Sequence, residues 1–204
     1  MIFFTSDQHF GHKRIIELAD RPFSSVGEMD RVMIERWNDT VGERDTVYQL
    51  GDFSFRKHKE TAQLFSQLNG KIRCVCCPSH HDRFWYQYFP HMKKPLLSAS
   101  GERVERYPAI YVHNDLTYAD DDGHPKAIVL SHFPLAIWEQ QQYGSWHLHG
   151  HTHGCPVSGT GRRMDVSVEC TDYAPVSLDD VSWAMLACPE RTGVFTNAKE
   201  SAIR

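Results

Sequence analysis

Four histidines stand within seven residues in Trp146-His147-Leu148-His149-Gly150-His151-Thr152-His153-Gly154. Such a concentration of neutral imidazole suits metal binding, histidine being the commonest protein ligand. A divalent cation takes about four to six ligands, so one segment cannot complete a site and carboxylates must come from elsewhere. Four further clusters offer them. Asp7-Gln8-His9 follows Ile2-Phe3-Phe4-Thr5-Ser6, and Gly51-Asp52 follows Val47-Tyr48-Gln49-Leu50. His80-His81-Asp82 comes after Ile72-Arg73-Cys74-Val75-Cys76-Cys77, and Ser131-His132 after Ala127-Ile128-Val129-Leu130. Asp7-x-His9 reads as two ligands on one side of an extended segment, since residues two apart point the same way. Gly51 beside Asp52 allows close approach of metals, and a bridging carboxylate could hold two cations about 3.5–4 Å apart.

The elements that would carry these clusters follow from the apolar pattern. Residues 2–4, 46–50 and 71–77 read as strands buried on both faces, with chemistry at their ends as is usual in an α/β sheet. Residues 13–19 place Ile15, Ile16, Leu18 and Ala19 at helical spacing, and Arg21-Pro22 stops that helix. Its N-terminus would face the site and suit an anion. Ser24 or Ser25 could cap a helix over residues 26–38 with Met29, Val32, Met33 and Trp37 as its stripe. Residues 57–68 carry Ala62, Leu64, Phe65 and Leu68 on one face, and Asn69-Gly70 ends them. Strands alternating with helices predict βαβ units and a largely parallel sheet. From Pro95 onward the apolar runs are short and close together (96–97, 109–112, 127–130, 146–148, 164–168, 183–186), with few helix-length segments between. Asp120-Asp121-Asp122-Gly123 reads as a hairpin turn, so part of this half is antiparallel. It is not a calcium loop, which needs carboxylates at alternate positions and a closing Glu.

The chain has 204 residues, 41% of them hydrophobic, which fits one domain able to bury roughly 70% of its unfolded surface. Residues 1–189 are expected to form it, with 190–204 a loose polar tail. A net charge of −4 without any Lys/Arg block disfavours a nucleic-acid polymer as partner. Six cysteines are far below disulfide-scaffold density, and no signal or membrane segment is evident. The expectation is a cytoplasmic protein with reduced thiols and no membrane partner.

Asp-x-His, Gly-Asp, His-Asp, Ser-His and Gly-His-x-His, in that order and each after an apolar run, resemble the calcineurin-like metallophosphoesterases. The wording of Thr5-Ser6-Asp7-Gln8-His9-Phe10-Gly11-His12, Arg21-Pro22-Phe23, Trp37-Asn38 and Ser131-His132-Phe133-Pro134 is similar to that of the small bacterial and phage branch. The resemblance implies an α/β fold of two packed mixed β-sheets flanked by helices, a four-layer sandwich. It implies two divalent cations, manganese before iron, zinc or nickel. Asp7 and His9 would bind the first, Asp52 would bridge, His132 and His151 would bind the second, and His153 would return to the first. The family's Gly-Asn-His-Asp or Gly-Asn-His-Glu is here Ser79-His80-His81-Asp82, so His80 stands where Asn ligates the second metal, and it either ligates, swings out and leaves the second site weak, or shifts the backbone.

The implied activity is phosphoester hydrolysis: a hydroxide between the cations attacks phosphorus in line, on a phosphodiester or another small, nucleotide-sized substrate. His81, donating an N–H to Asp82, would have a fixed tautomer and raised basicity and would protonate the leaving oxygen. The alternatives are a phosphomonoesterase, which uses the same clamp, and a catalytically degenerate binding module, which Ser79-His80 would explain. His12 and Arg21 read as phosphate contacts or as surface groups; His147 and His149 as structural or supporting groups. Cys74, Cys76 and Cys77 lack a second pair for zinc and read as buried strand residues. Trp138, Tyr143 and Trp146 either wall a cleft or fill core.

Overall fold

Ile2-Phe3-Phe4-Thr5 has almost no polar face to give to water, and it forms the strand β1 (Ile2–Thr5) that both cores share. The structure is a computed structural model and describes residues 1–75, 81–88, 95–119 and 125–187. Parallel to β1 lies β2 (Thr46–Gln49), then β3 (Lys71–Val75) and β4 (Glu105–Tyr107); the two-residue β9 (Val176–Ser177) closes the other edge antiparallel, in the order β4-β3-β2-β1-β9. A second sheet runs β5-β6-β7-β8, from Ile110–Ala119, Pro125–Ser131, Trp146–His149 and Arg163–Asp165. There β5 pairs antiparallel with β6 while β6, β7 and β8 are parallel. The fold is thus α/β with two mixed sheets flanked by helices, as expected.

Alternation along the strands sorts the cores. Phe3, Val47, Ile72 and Cys74 face the helices α2 (Val26–Thr40) and α3 (His58–Phe65), meeting Met29, Met33, Trp37, Leu64 and Phe65. Phe4, Tyr48, Leu50 and Val75 face the other way, onto Ile128, Leu130, Trp146, Leu148 and Met164 of the second sheet. Each such large side chain contributes about 1.5–3 kcal/mol by leaving water, which fixes how the sheets stack. Ser25 caps α2, its Oγ accepting from Glu28 N at 3.2 Å while the Glu28 carboxylate accepts from Ser24 N at 2.8 Å.

Three expectations change. The first helix is a single turn, α1 (Ile15–Leu18), too short for an anion-binding dipole. The short apolar run 183–186 is part of a helix-length segment, α5 (Leu178–Ala187). Ser177 Oγ accepts from Asp180 N, and Val181, Ala184 and Met185 recur at helical spacing toward the inter-sheet core. The helix 57–68 is shorter, and a short four-residue helix, α4 (Arg83–Tyr86), follows the His-Asp motif. Cys74 is buried in its strand as expected; Cys76, Cys77, the 120–123 turn and the 190–204 tail lie outside the described residues. Among the described residues no helix is long and apolar enough to cross a membrane.

Candidate metal centre

β1, β2, β6 and β7 end on one edge of the sandwich, and their exits carry the predicted motifs. The loops after β1 and β2 are zipped together by main-chain bonds, Asp7 N to Gly51 O at 3.1 Å, His9 N to Asp52 O at 2.9 Å and Phe10 N to Phe53 O at 3.0 Å. Ser6 O accepts from Val168 N at 3.1 Å and His132 O from Gly150 N at 3.0 Å, which draws in the exits of the second sheet. The two Asp/His motifs are not extended. Asp7, His9, Asp52, His151 and His153 all hold left-handed backbone, with φ of 62°, 53°, 51°, 71° and 48°. Asp and His are among the few residues with a side chain that adopt it readily. Strand parity therefore does not explain why Asp7 and His9 converge; two left-handed residues coil the loop so that both side chains turn inward.

The converging atoms are spaced as ligands. His9 Nε2 lies 3.5 Å from Asp52 Oδ2 and 3.7 Å from Asp7 Oδ1, and His153 Nε2 lies 3.6 Å from Asp7 Oδ1. His132 Nε2 is 3.6 Å from Asp52 Oδ2. These are too long for hydrogen bonds, but two ligands each about 2.1 Å from one cation are separated by roughly 3–3.6 Å. Asp7 Oδ1 and His9 Nε2 are buried and, among the described residues, accept or donate no hydrogen bond. Among the described residues two groups have all ligand atoms within 4.8 Å: Asp7, His9 and His153, and Asp7, Asp52 and His132. The residues fit a metal ion. Burial would raise the Asp7 carboxyl, yet the imidazoles of His9, His132 and His153 outweigh it and hold Asp7 well below the usual carboxylate range. Burial also depresses His9 to about 4 and lowers His132, so both are neutral and able to ligate near pH 7.

The backbone around Asp52 is held by a residue read as catalytic. Asp82 Oδ2 accepts from Asp52 N at 2.9 Å, and Oδ1 from Phe53 N and Trp85 Nε1, each at 2.9 Å. The sequence makes Asp82 the expected orienter of His81; the structure turns it onto the Asp52 turn instead, and burial pushes its carboxyl up to about 6 against these donors. Asp82→Asn would set an amide N–H against one of those N–H groups. It should cost about 1–3 kcal/mol and loosen Asp52, measured by urea melts with and without metal; an unchanged midpoint and metal affinity would show that the clamp is idle. Gly51 is needed for a related reason. A Cβ there would meet His132 Nδ1 at 2.8 Å, so its lack of side chain admits the histidine ring, not the metals as expected. That ring is fixed by Nδ1–H donating to Leu50 O at 2.9 Å, which leaves Nε2 toward Asp52. At Gly150 a Cβ would collide with Ser6 Oγ and Asp7 Oδ2. Its role is close approach of two strand exits.

Several supporting residues carry no motif. Asp7 Oδ2 accepts from His151 N at 2.9 Å and Ser167 Oγ at 3.1 Å, so the ligating role is left to Oδ1. Asp165 accepts from Ser167 N and Gly154 N, both at 2.8 Å, and fixes the last histidine loop. His153 Nδ1 donates to Glu169 Oε1 at 2.8 Å, and the buried Arg21 donates to the same oxygen. Arg21 is thus neither a surface group nor a phosphate contact. Their only trace in the sequence is that polar Asp165, Ser167 and Glu169 interrupt the apolar run 164–168 and its end.

The other candidates divide. His81 is 39% exposed, its Nε2 3.9 Å from Asp52 Oδ2 and its ring 5.4 Å from that of His9, so it rims the centre. His151 falls outside both convergent groups; its ring packs 5.2 Å from His132 and 4.5 Å from Phe133. His80 and Ser79 lie outside the described residues. His12 stacks on Phe55 with centroids 3.8 Å apart. Trp146 fills the inter-sheet core, Trp138 covers His147 on the outer face of the second sheet, and Tyr143 is exposed. His147 and His149 share that outer face.

His147 is structural: its Nε2 accepts from Leu135 N at 3.0 Å and its Nδ1–H donates to Val129 O at 3.0 Å. Burial depresses it from 6.5 to about 3, against the pull of the Val129 carbonyl. The unfolded chain therefore takes up a proton near pH 6.5 that the folded one refuses until about 3. Stability should fall as pH drops through that window, by at most about 1.4 kcal/mol per pH unit from this group. In urea melts between pH 7 and 5, His147→Gln should show a shallower loss than the parent; equal slopes would exonerate His147.

No family model matches the chain. It is 32% identical over 187 residues to Uncharacterized protein MJ1445 of Methanocaldococcus jannaschii, covering 87% of each chain. Gene 66 protein of Mycobacterium phage L5 is 29% identical, over 95% of this chain and 98% of the phage protein. The crystal structure of the protein of unknown function AQ665 from Aquifex aeolicus superposes with a TM-score of 0.61 at 21% identity, over 90% of this chain and 98% of that one, a likeness of fold.

Proposed function

The chain belongs to the same family as that archaeal protein, and within it we propose that it acts as a metallophosphoesterase, a two-metal hydrolase of small phosphoesters. The observation that carries the reading is the buried convergence of Asp7 Oδ1, His9 Nε2, Asp52 Oδ2, His132 Nε2 and His153 Nε2 at 3.5–3.7 Å, with the first two lacking any hydrogen-bond partner among the described residues. Asp7, His9 and His153 would hold one cation and His132 a second, with Asp52 shared between the two and His151 and His80 further candidates for the second. Manganese is the favoured metal, and the compartment is taken to be the cytoplasm. When bound, two such cations supply positive charge for the phosphoryl oxygens and lower the pKa of water.

The chain's own residues do the rest. Asp7 and Asp52 offer buried carboxylates that need countercharge, and the neutral His9 and His132 ligate without losing a proton. Main-chain bonds between the two loops keep Asp7 and Asp52 side by side. His81 stands at the exposed rim, where it can hold a proton for the departing oxygen of a substrate entering from solvent. The preferred substrate is a phosphodiester or nucleotide-sized ester.

Metal content of the purified protein, with turnover of nitrophenyl phosphodiester and monoester before and after chelation, tests the reading. Two equivalents of metal and hydrolysis lost on chelation are expected, the diester being the better substrate. Metal without hydrolysis would replace the enzyme by a binding module, and a protein that takes up no added Mn²⁺ would overturn the metal centre itself.

A further inference from the structure

Arg21 is a guanidinium with no exposed side-chain surface, and such a charge is costly to bury unless every donor has work. Its NH2 group donates to Asp7 O at 2.7 Å and its NH1 to Gln8 O at 2.8 Å. On the other side Nε donates to Glu169 Oε1 at 2.8 Å, with NH2 2.6 Å from the same oxygen. That oxygen also accepts from His153 Nδ1 at 2.8 Å, while His153 Nε2 faces Asp7 Oδ1 at 3.6 Å. One side chain from the loop after α1 therefore holds the main chain of one ligand and the carboxylate that orients another.

We propose that Arg21 and Glu169 are a positioning pair for the first metal, fixing His153 as the Nδ1–H tautomer with Nε2 turned to the cation and locking it in register with Asp7. The inference rests on the metal reading of the site. A carboxylate behind a ligating histidine fixes the ring's rotation and raises its basicity; losing one typically costs 10–100-fold in metal affinity. Arg21 adds what the carboxylate alone lacks, because it ties Glu169 to the left-handed turn that carries Asp7. The Arg21-Pro22-Phe23 segment thereby belongs to the site although the Arg21 side chain is itself buried.

Calorimetric titration of Mn²⁺ into the parent, Glu169→Gln, Glu169→Asp and Arg21→Lys, beside ¹⁵N–¹H histidine spectra of the metal-free proteins, tests the pair. The parent should show His153 as the Nδ1–H tautomer. Glu169→Gln should bind Mn²⁺ about 10–100-fold more weakly at one site and mix the tautomers. Glu169→Asp should recover part of the loss, and Arg21→Lys should lose affinity with Glu169 intact. Lower melting temperatures with parental Mn²⁺ affinity would make the pair merely structural and overturn the proposal. Should Glu169→Gln not fold, the Arg21→Lys titration distinguishes the same two outcomes. A parent that binds no Mn²⁺ would instead defeat the metal reading, and an Nε2–H tautomer of its His153 would defeat the pair independently.

Discussion

Asp52→Ala should leave a folded protein that has lost phosphoester hydrolysis by at least roughly a thousandfold and no longer holds a full complement of metal. Asp52 Oδ2 lies between His9 Nε2 at 3.5 Å and His132 Nε2 at 3.6 Å, and so presents one buried carboxylate to ligands from two different motifs. Truncating it would remove countercharge from both proposed cations together. The backbone should stay in place, because Asp82 holds the N–H groups of Asp52 and Phe53 from behind. Asp52→Asn keeps the volume and removes only the charge, which separates loss of charge from collapse. Metal analysis of both variants after gel filtration, with diester turnover, gives the answer; two retained equivalents of metal would end the bridging assignment.

His81→Gln should behave in the opposite way, keeping its metal and losing turnover by about 10²–10⁴-fold. Its side chain is 39% accessible, against 22% for His153 and almost none for His9 and His132, and its Nε2 lies 3.9 Å from Asp52 Oδ2. Its proposed task as proton donor is argued from this position, and the Asp82 carboxylate holds the Asp52 turn. The loss should be steepest for alkyl leaving groups, which need a proton, and shallow for nitrophenol, which does not. A plot of log kcat against leaving-group pKa would steepen in the variant. Parallel plots, or metal lost along with activity, would remove His81 from the acid role.

The strands that carry the site were readable because each is an apolar run closed by a polar motif, and Asp7, His9, Asp52, His132 and His153, drawn from separate motifs along the chain, converge beyond those runs. What could not be read was direction. Asp-x-His has the same letters whether extended or coiled through two left-handed residues, so the pattern predicts convergence for a reason that is not the operative one. Asp82 beside His81 looks like a catalytic couple, and only the tertiary fold shows the carboxylate turned to amides thirty residues away. Arg21 and Glu169 are 148 residues apart, with no spacing to link them. For α5, the Ser177 cap and the acidic pair Asp179-Asp180 were a helix start signal that the short apolar run obscured.

The carboxylate of Asp7 takes its orientation from His151 N, 144 residues downstream, and from Ser167 Oγ, 160 residues downstream. On a ribosome adding about 5–20 residues per second, that interval is roughly ten to thirty seconds, longer once the exit tunnel is cleared. A nascent chain with β1 to β3 already made thus carries Asp7, His9 and Asp52 on loops whose carboxylate geometry is not yet set. Loading of the proposed metal should consequently be a late event of biosynthesis. The cation would enter a nearly finished fold rather than nucleate it, and chain fragments that end before β8 should refuse the metal however well their first sheet forms.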